Sequence, residues 1–150
     1  MAIKDSYPIT SSVNNLIYVF ESKGIKGTIK KVVIFQKMET NRYNLAFGDE
    51  VKGTVDDKID SNNNDMIKVL STIANIIYDF ISHFPDAIIV IGAVERRKLI
   101  LYNGIFRRRF KEIEESFEIQ AFKEGKRETY SPDEFYYKFE INRKSSNLNK

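Results

Sequence analysis

The sequence has no cysteine and no tryptophan, and His83 is its one histidine. Structural zinc sites, thiol nucleophiles, redox disulfides, iron–sulfur clusters and metal sites with two histidines are therefore excluded. The glycine-rich phosphate and dinucleotide loops, the serine nucleophile elbow and the helical zinc-protease motif are absent too. His83 falls at the end of a predicted helix, where a structural hydrogen bond is the simpler role. We expect no catalytic residue, no metal and no cofactor.

The sequence also has little excess of one charge and few long apolar runs. The 150 residues include 24 Lys+Arg and 21 Asp+Glu, a formal net charge of +3, and 42% are hydrophobic. These proportions are typical of a soluble globule, and the length suits one domain. No stretch resembles a signal peptide or a membrane span. We expect a cytoplasmic protein that folds as one domain over 1–150, with an ordered core at about 14–143 and a polar tail at 144–150.

Hydrophobic periodicity predicts a mixed fold. Three alternating runs between Leu16 and Gly48 predict a three-strand meander, which an acidic loop at 50–65 follows. Apolar residues at helical spacing predict a buried central helix over 66–84. The unbroken apolar run at 86–92 is typical of an interior strand.

A second helix from near Val94 or Glu95, and two strands at 117–122 and 135–141, complete the order βββ-α-β-α-ββ. The predicted fold class is therefore α+β, a single domain with a mostly antiparallel sheet packed on the central helix.

The second helix has an unusual charge pattern. From Arg96 to Lys111 it has seven bases and no acid, although a helix N-terminus repels cations. A bound phosphate would relieve this conflict, and Gly92 before the helix would allow a close backbone approach. The alternative is that the long basic side chains cover apolar surface and keep their charges in water. The candidates for an anion or nucleic-acid site are Gly92, Arg96, Arg97, Lys98, Arg107, Arg108 and Lys111.

Two further groups of residues are candidate sites. Leu101 and Gly104 lie on the helix face opposite the apolar stripe, so we expect a close packing partner there, either internal or a second chain. Asn44, Asp49 and Lys68 form a second polar site candidate, because a carboxylate at a strand end and a lysine at a helix start can meet in space. The same three residues are equally consistent with a structural network.

A metal-dependent nuclease is an alternative. Asp86 enters a strand, and Glu124, Gly125 and Lys126 follow a later one, which would supply carboxylates for magnesium and a lysine for phosphate. Such a set arises easily by chance in a chain with 30% charged residues. The 11 Phe and 8 Tyr residues suggest a base-stacking platform, but they are explained more simply as core rings.

Several strings resemble a small family of unknown function from Bacteroidetes-type bacteria. They are Tyr18-Val-Phe-Glu-Ser22, Tyr43-Asn-Leu-Ala-Phe-Gly-Asp49 and Asn64-Asp65-x-x-Lys68, within a resemblance that covers about Tyr18 to Arg143. The family pattern has Ser-Thr after the strand glycine, then Arg-x-Arg-Leu-Tyr. Here the corresponding residues are Ala93-Val94 and Arg97-Lys98-Leu99-Ile100-Leu101, so just the first arginine matches. The resemblance also implies a neighbouring short gene, as in a toxin–antitoxin pair.

Three functions follow as hypotheses. The first is a module that recognises nucleic acid or another phosphate-bearing ligand through the basic helix. The second is an interaction module for a partner protein or a second copy, without nucleic-acid binding. The third is the metal-dependent nuclease. The absence of catalytic motifs favours a binding protein over an enzyme.

Overall fold

Alternating hydrophobic residues form strands and the two apolar-striped segments form helices in a computed structural model, which describes residues 5–51, 53–56, 63–93 and 95–144. The strands are β1 (Thr10–Ser11), β2 (Ile17–Gly24), β3 (Gly27–Glu39), β4 (Arg42–Val51), β5 (Thr54–Asp56), β6 (Ile88–Gly92), β7 (Phe117–Lys123), β8 (Lys126–Thr129) and β9 (Lys138–Arg143). The helices are α1 (Met66–His83) and α2 (Arg96–Ser116). Residues 52 and 57–62 of the predicted acidic loop and residues 145–150 of the predicted tail lie outside the described residues.

All nine strands belong to one sheet in the order β1-β2-β3-β4-β6-β9-β7-β8, with β5 paired to the end of β4. Within the described ranges, β4 and β6 are the one parallel pair, and the other neighbours are antiparallel. The α+β prediction, with a mostly antiparallel sheet, is therefore confirmed. The predicted interior strand is β6, which lies between β4 and β9.

Both helices pack on one face of the sheet. In β4, for example, Tyr43, Leu45 and Phe47 alternate onto this face and join the core with residues of α1 and α2. The central helix is buried along most of its length, as predicted, but Met66 and Ile67 in its first turn are exposed. Pro85 follows the helix end, because proline cannot continue the hydrogen-bonded ladder.

The direction of the strands brings both helix starts to the same place. β2, β4, β6 and β7 point in the same direction, so their C-terminal ends lie on the same side of the sheet. We call this side, at the ends of the strands, the carboxyl edge. α2 begins directly after β6. α1 begins there too, because Asp65 bonds Ser22 near the end of β2. Both helices then run to the opposite edge.

The predicted elements differ from the observed ones mainly at their ends. β1, β5 and β8 are short strands that the periodicity did not indicate. The final strand begins at Lys138, three residues later than predicted. The segment before it contains Pro132 and crosses the end of the sheet. Its alternation of apolar and polar residues therefore does not belong to β9.

Candidate functional site

The carboxyl edge gathers residues from distant parts of the chain. Asp49 lies near the end of β4, Lys68 in the first turn of α1, and Gly92 at the end of β6. The first turn of α2 adds Arg96 and Arg97. Five of the predicted site residues thus lie on one side of the molecule, although not all of them contact each other.

The start of α2 is open to solvent. Glu95 occupies the N-cap position without a side-chain cap, and the first turn contains no acid. The first backbone N–H groups of a helix lack partners inside the helix and carry partial positive charge. Arg96 and Arg97 are both exposed beside them, so cationic side chains and amide donors occur together.

Lys98 does not share this environment. Its side chain is 5% exposed, and its ammonium donates a hydrogen bond to the backbone carbonyl of Phe47 in β4. The predicted group of three cations is therefore divided, because the helical turn directs Lys98 into the core while its two neighbours face water. Lys98 joins α2 to the sheet.

The later cations of α2 follow the exposed side of the helix. Arg107, Arg108 and Lys111 are exposed, and the Arg107 guanidinium donates to the carbonyl of Pro132 at 3.3 Å. Arg109 is different, because it turns toward α1 and donates to the Ser71 hydroxyl at 2.7 Å. Helical geometry is interrupted at Arg109, where φ is −115° and ψ is 18°.

Gly92 allows another segment of the same chain to approach its backbone closely. A Cβ at this position would lie 3.4 Å from the Lys138 side chain and 3.4 Å from the Tyr137 carbonyl. The space beside Gly92 is therefore occupied by the segment that enters β9. Gly92 positions that segment against the start of α2.

Leu101 and Gly104 have an internal partner. Leu101 is 5% exposed and belongs to the core, and a Cβ on Gly104 would lie 3.3 Å from the Leu70 side chain of α1. The close packing that the sequence predicted is therefore the contact between the two helices. Of the two partners left open by the sequence, the structure has the internal one.

The start of α1 is enclosed by a polar network that we call the α1 cluster: Tyr7, Ser22, Asn63 and Asp65. One carboxylate oxygen of Asp65 accepts bonds from the Tyr7 hydroxyl at 2.6 Å and from the Ser22 hydroxyl at 2.5 Å. Burial, followed by the bond to Asp65, raises the pKa of Tyr7. The Lys68 ammonium lies 4.5 Å from the centre of the Tyr7 ring, and a groove of about 610 Å³ adjoins the cluster.

Asn63 ties the α1 cluster to the turn between β2 and β3. Its amide nitrogen donates to the Ser22 hydroxyl and to the Gly27 carbonyl, and its side-chain oxygen accepts from the Lys26 amide at 2.6 Å. A Cβ on Gly24 would lie 1.9 Å from the Asn63 carbonyl oxygen. The polar groups of this cluster therefore satisfy one another.

The three residues of the second polar site candidate, Asn44, Asp49 and Lys68, do not contact one another. Asn44 and Asp49 are five residues apart on β4, so they face opposite sides of the sheet. Asn44 donates to Gln36 at 3.0 Å on the open face. Asp49 instead accepts a 2.6 Å bond from Lys31, and both side chains are almost fully buried. Lys68 lies against Tyr7.

The nuclease residues lie at opposite edges of the sheet. Asp86 precedes β6, whereas Glu124, Gly125 and Lys126 follow β7, which runs parallel to β6. The register aligns Gly92 with Phe122 through Lys138, so Asp86 and Glu124 lie eight residues apart along the strand direction, about 26 Å at 3.3 Å per residue, too far for one metal ion. Among the residues that the structure describes, no group of three or more His, Asp or Glu side chains is arranged to hold a metal.

Two exposed aromatic rings complete the edge beside α2. Phe135 is 41% exposed and Tyr137 is 43% exposed. The Arg96 guanidinium lies over the Phe135 ring, 5.5 Å from its centre. We call Arg96, Arg97, Phe135 and Tyr137 the α2 surface. The sequence predicted a strand over 135–141 and explained the aromatic residues as core rings, yet adjacent tyrosines at 136 and 137 cannot both face the core of one strand.

The chain belongs to a family of unknown function, DUF6934, whose model matches residues 3–144. The expectation of an uncharacterised domain family is therefore confirmed. No curated protein and no solved structure matches the chain. Across the described ranges, neither helix is both long enough and apolar enough to cross a membrane.

Proposed function

We propose that the protein binds nucleic acid through the exposed cations of α2. The observation that carries this proposal is the combination at the helix start: exposed Arg96 and Arg97, no acid in the first turn and no side-chain cap. Cations at this position are unfavourable for the helix alone, whereas a phosphate would contact the arginines and the backbone amides together.

The later cations extend this surface. Arg107, Arg108 and Lys111 are exposed and lie 11 to 15 residues beyond Arg96, which corresponds to about 16 to 22 Å along a helix. A single phosphate group contacts one end of such a track at most. The spacing supports a polymeric ligand with regularly repeated phosphates.

Binding of labelled 12-nucleotide RNA and duplex DNA, measured by fluorescence polarisation at about 50 and 200 mM salt, tests the proposal. The wild type is expected to bind at the lower salt and to weaken steeply at the higher one. Each arginine that contacts a phosphate of a single strand contributes about 0.7 to the log–log salt slope. The double variant Arg96→Gln/Arg97→Gln should therefore bind more weakly, with a slope shallower by about 1.4 on the RNA.

The matched control removes two exposed cations from the opposite edge, Lys37→Gln/Lys144→Gln. It has the same net charge as the arginine variant but should keep the wild-type slope. Lys98 stays unchanged in both variants because its buried bond to Phe47 supports the fold. Absence of wild-type binding at about 50 mM salt, or equal losses in the two variants, would overturn the proposal.

A further inference from the structure

We infer that the nucleic acid is single-stranded and that Phe135 and Tyr137 stack on its unpaired bases. This inference rests on the proposed function, because it assumes that phosphates bind to the cations of α2. It adds the class of ligand. The evidence lies in the exposure, position and support of the two rings.

The exposure of these rings is exceptional in this chain. Every one of the 11 Phe and 8 Tyr residues lies within the described ranges, and among them Phe135 and Tyr137 alone are classed as exposed. The other rings belong to the core or pack against it, except Phe122, which is half-buried beneath Lys138 and Arg127. Large aromatic side chains are costly to leave in water, so two exposed rings within three residues indicate a contact surface.

The position of the rings joins them to the basic helix start. Lys138, the first residue of β9, pairs with Gly92, the last residue of β6, so the segment before β9 lies where α2 begins. The Arg96 guanidinium contacts the Phe135 ring. An acid in the same segment, Glu134, forms an ion pair with Lys123, which compensates its charge.

The backbone that carries the rings is fixed to α2. Asn103, which is 1% exposed, accepts a 2.9 Å bond from the Tyr136 amide and donates a 2.7 Å bond to the Tyr136 carbonyl. Tyr136, which lies between the two exposed residues in the sequence, has a fully buried side chain that packs on Tyr130 and Phe139. The Tyr137 amide donates to the Phe122 carbonyl at 3.0 Å. The backbone that carries the two rings is thus fixed beside the start of α2 before any ligand binds.

Unpaired bases match this surface better than a duplex does. In a double helix the faces of the bases are stacked inside, and a protein reaches phosphates and base edges. A single strand offers free faces that stack on aromatic rings while its phosphates contact neighbouring cations. Each stacked base is expected to strengthen binding about 5- to 150-fold.

Four labelled 12-mers test the inference at about 50 mM salt: oligo(U) RNA, oligo(dT), an abasic deoxyribose-phosphate strand and a DNA duplex. Both strands with bases should bind at least about tenfold more tightly than the abasic strand. The variant Phe135→Ala/Tyr137→Ala should lose this difference and keep its affinity for the abasic strand.

Two variants control this test. Phe135→Tyr/Tyr137→Phe keeps both rings and should bind like the wild type. Met38→Ala removes an exposed apolar side chain at the opposite edge and should have no effect. Three results would overturn the inference while the proposed function stands: equal affinity for the abasic strand and the strands with bases, a preference for the duplex, or a Phe135→Ala/Tyr137→Ala variant that binds like the wild type. Failure of all four probes to bind would overturn the proposed function itself.

Discussion

The starts of α1 and α2 lie at the same edge, yet their polar residues behave in opposite ways. Neither helix has a side-chain cap or an acid in its first turn. In the α1 cluster, Asp65 accepts two hydroxyl bonds and Asn63 binds the neighbouring turn. In the α2 surface, exposed cations lie beside exposed rings. The polar groups of the α1 cluster satisfy one another and support the fold, whereas the exposed combination at the α2 surface is the one that we propose binds a ligand.

The largest stability effect is expected at the buried ion pair near the α1 cluster. Asp49→Ala removes the carboxylate that binds Lys31, and both residues are at most 3% exposed. Losing one member of a buried pair costs about 3–5 kcal/mol. Urea unfolding should show this loss, with little change in RNA affinity at a temperature where the variant is folded. An Asp49→Ala protein that is as stable as the wild type but no longer binds RNA would contradict this, because Asp49 would then serve binding and not stability.

A somewhat smaller loss is expected in the α1 cluster itself. Asn63→Ala removes the bonds to Ser22, Gly27 and Lys26 and leaves buried groups without partners, at a cost of about 1–3 kcal/mol. Gly24→Ala should be destabilising independently, because its Cβ would overlap the Asn63 backbone carbonyl. Urea midpoints of the two single variants measure both effects. Wild-type midpoints in both would mean that this network does not hold the start of α1.

The outline of the fold follows from sequence because period-two and period-3.6 patterns report which side chains are buried. The runs around Phe35 and Phe47 and the stripe of α1 therefore indicate their elements correctly. β1 and β5 have two and three residues, too few for a pattern to develop. The start of β9 differs from the prediction because the chain crosses the sheet edge before Lys138.

The candidate site was predicted in part. The charge conflict in the first turn of α2 drew attention to Arg96 and Arg97, which are exposed. Charge patterns do not report direction, so Lys98 was grouped with them although it turns into the core. The positions of Asp49 at a strand end and Lys68 at a helix start predicted that the two side chains meet. The register of β3 and β4 instead places Asp49 beside Lys31, with which it forms an ion pair.

A moderate, pH-dependent effect is expected at the residue that anchors the two exposed rings. Burial and then the bond to Glu128 raise the pKa of Tyr136 to about 12, above the usual value of about 10. The neutral phenol is therefore favoured in the folded state. The contribution of the neutral phenol to the free energy of unfolding is complete below about pH 10 and is lost as pH rises through about 12.

The variant Tyr136→Phe isolates this contribution. It should lower the free energy of unfolding by about 1 kcal/mol at neutral pH, because the hydrogen bond to Glu128 is lost. The difference from the wild type should shrink between about pH 10 and 12. Urea unfolding across this range measures it, and a difference that grows with pH would contradict the assignment.

The smallest stability effect is expected at the α2 surface. Arg96→Gln/Arg97→Gln relieves repulsion between the cations and the helix N-terminus and removes the contact between Arg96 and Phe135. These changes oppose each other, so the free energy of unfolding should stay within about 0.5 kcal/mol of the wild type. Thermal unfolding checks this, and a large loss would give these arginines a structural role.

The most direct test of the central claim is to map where a single strand binds. In ¹⁵N–¹H NMR spectra of the labelled protein, titration with oligo(U) should shift amide signals of the α2 surface, chiefly residues 92, 93, 95–97 and 134–138. Signals at the opposite edge, around Met38 and Lys144, should stay in place. Shifts confined to the α1 cluster or to the opposite edge, or no shifts at saturating oligo(U), would contradict the claim that the α2 surface binds nucleic acid.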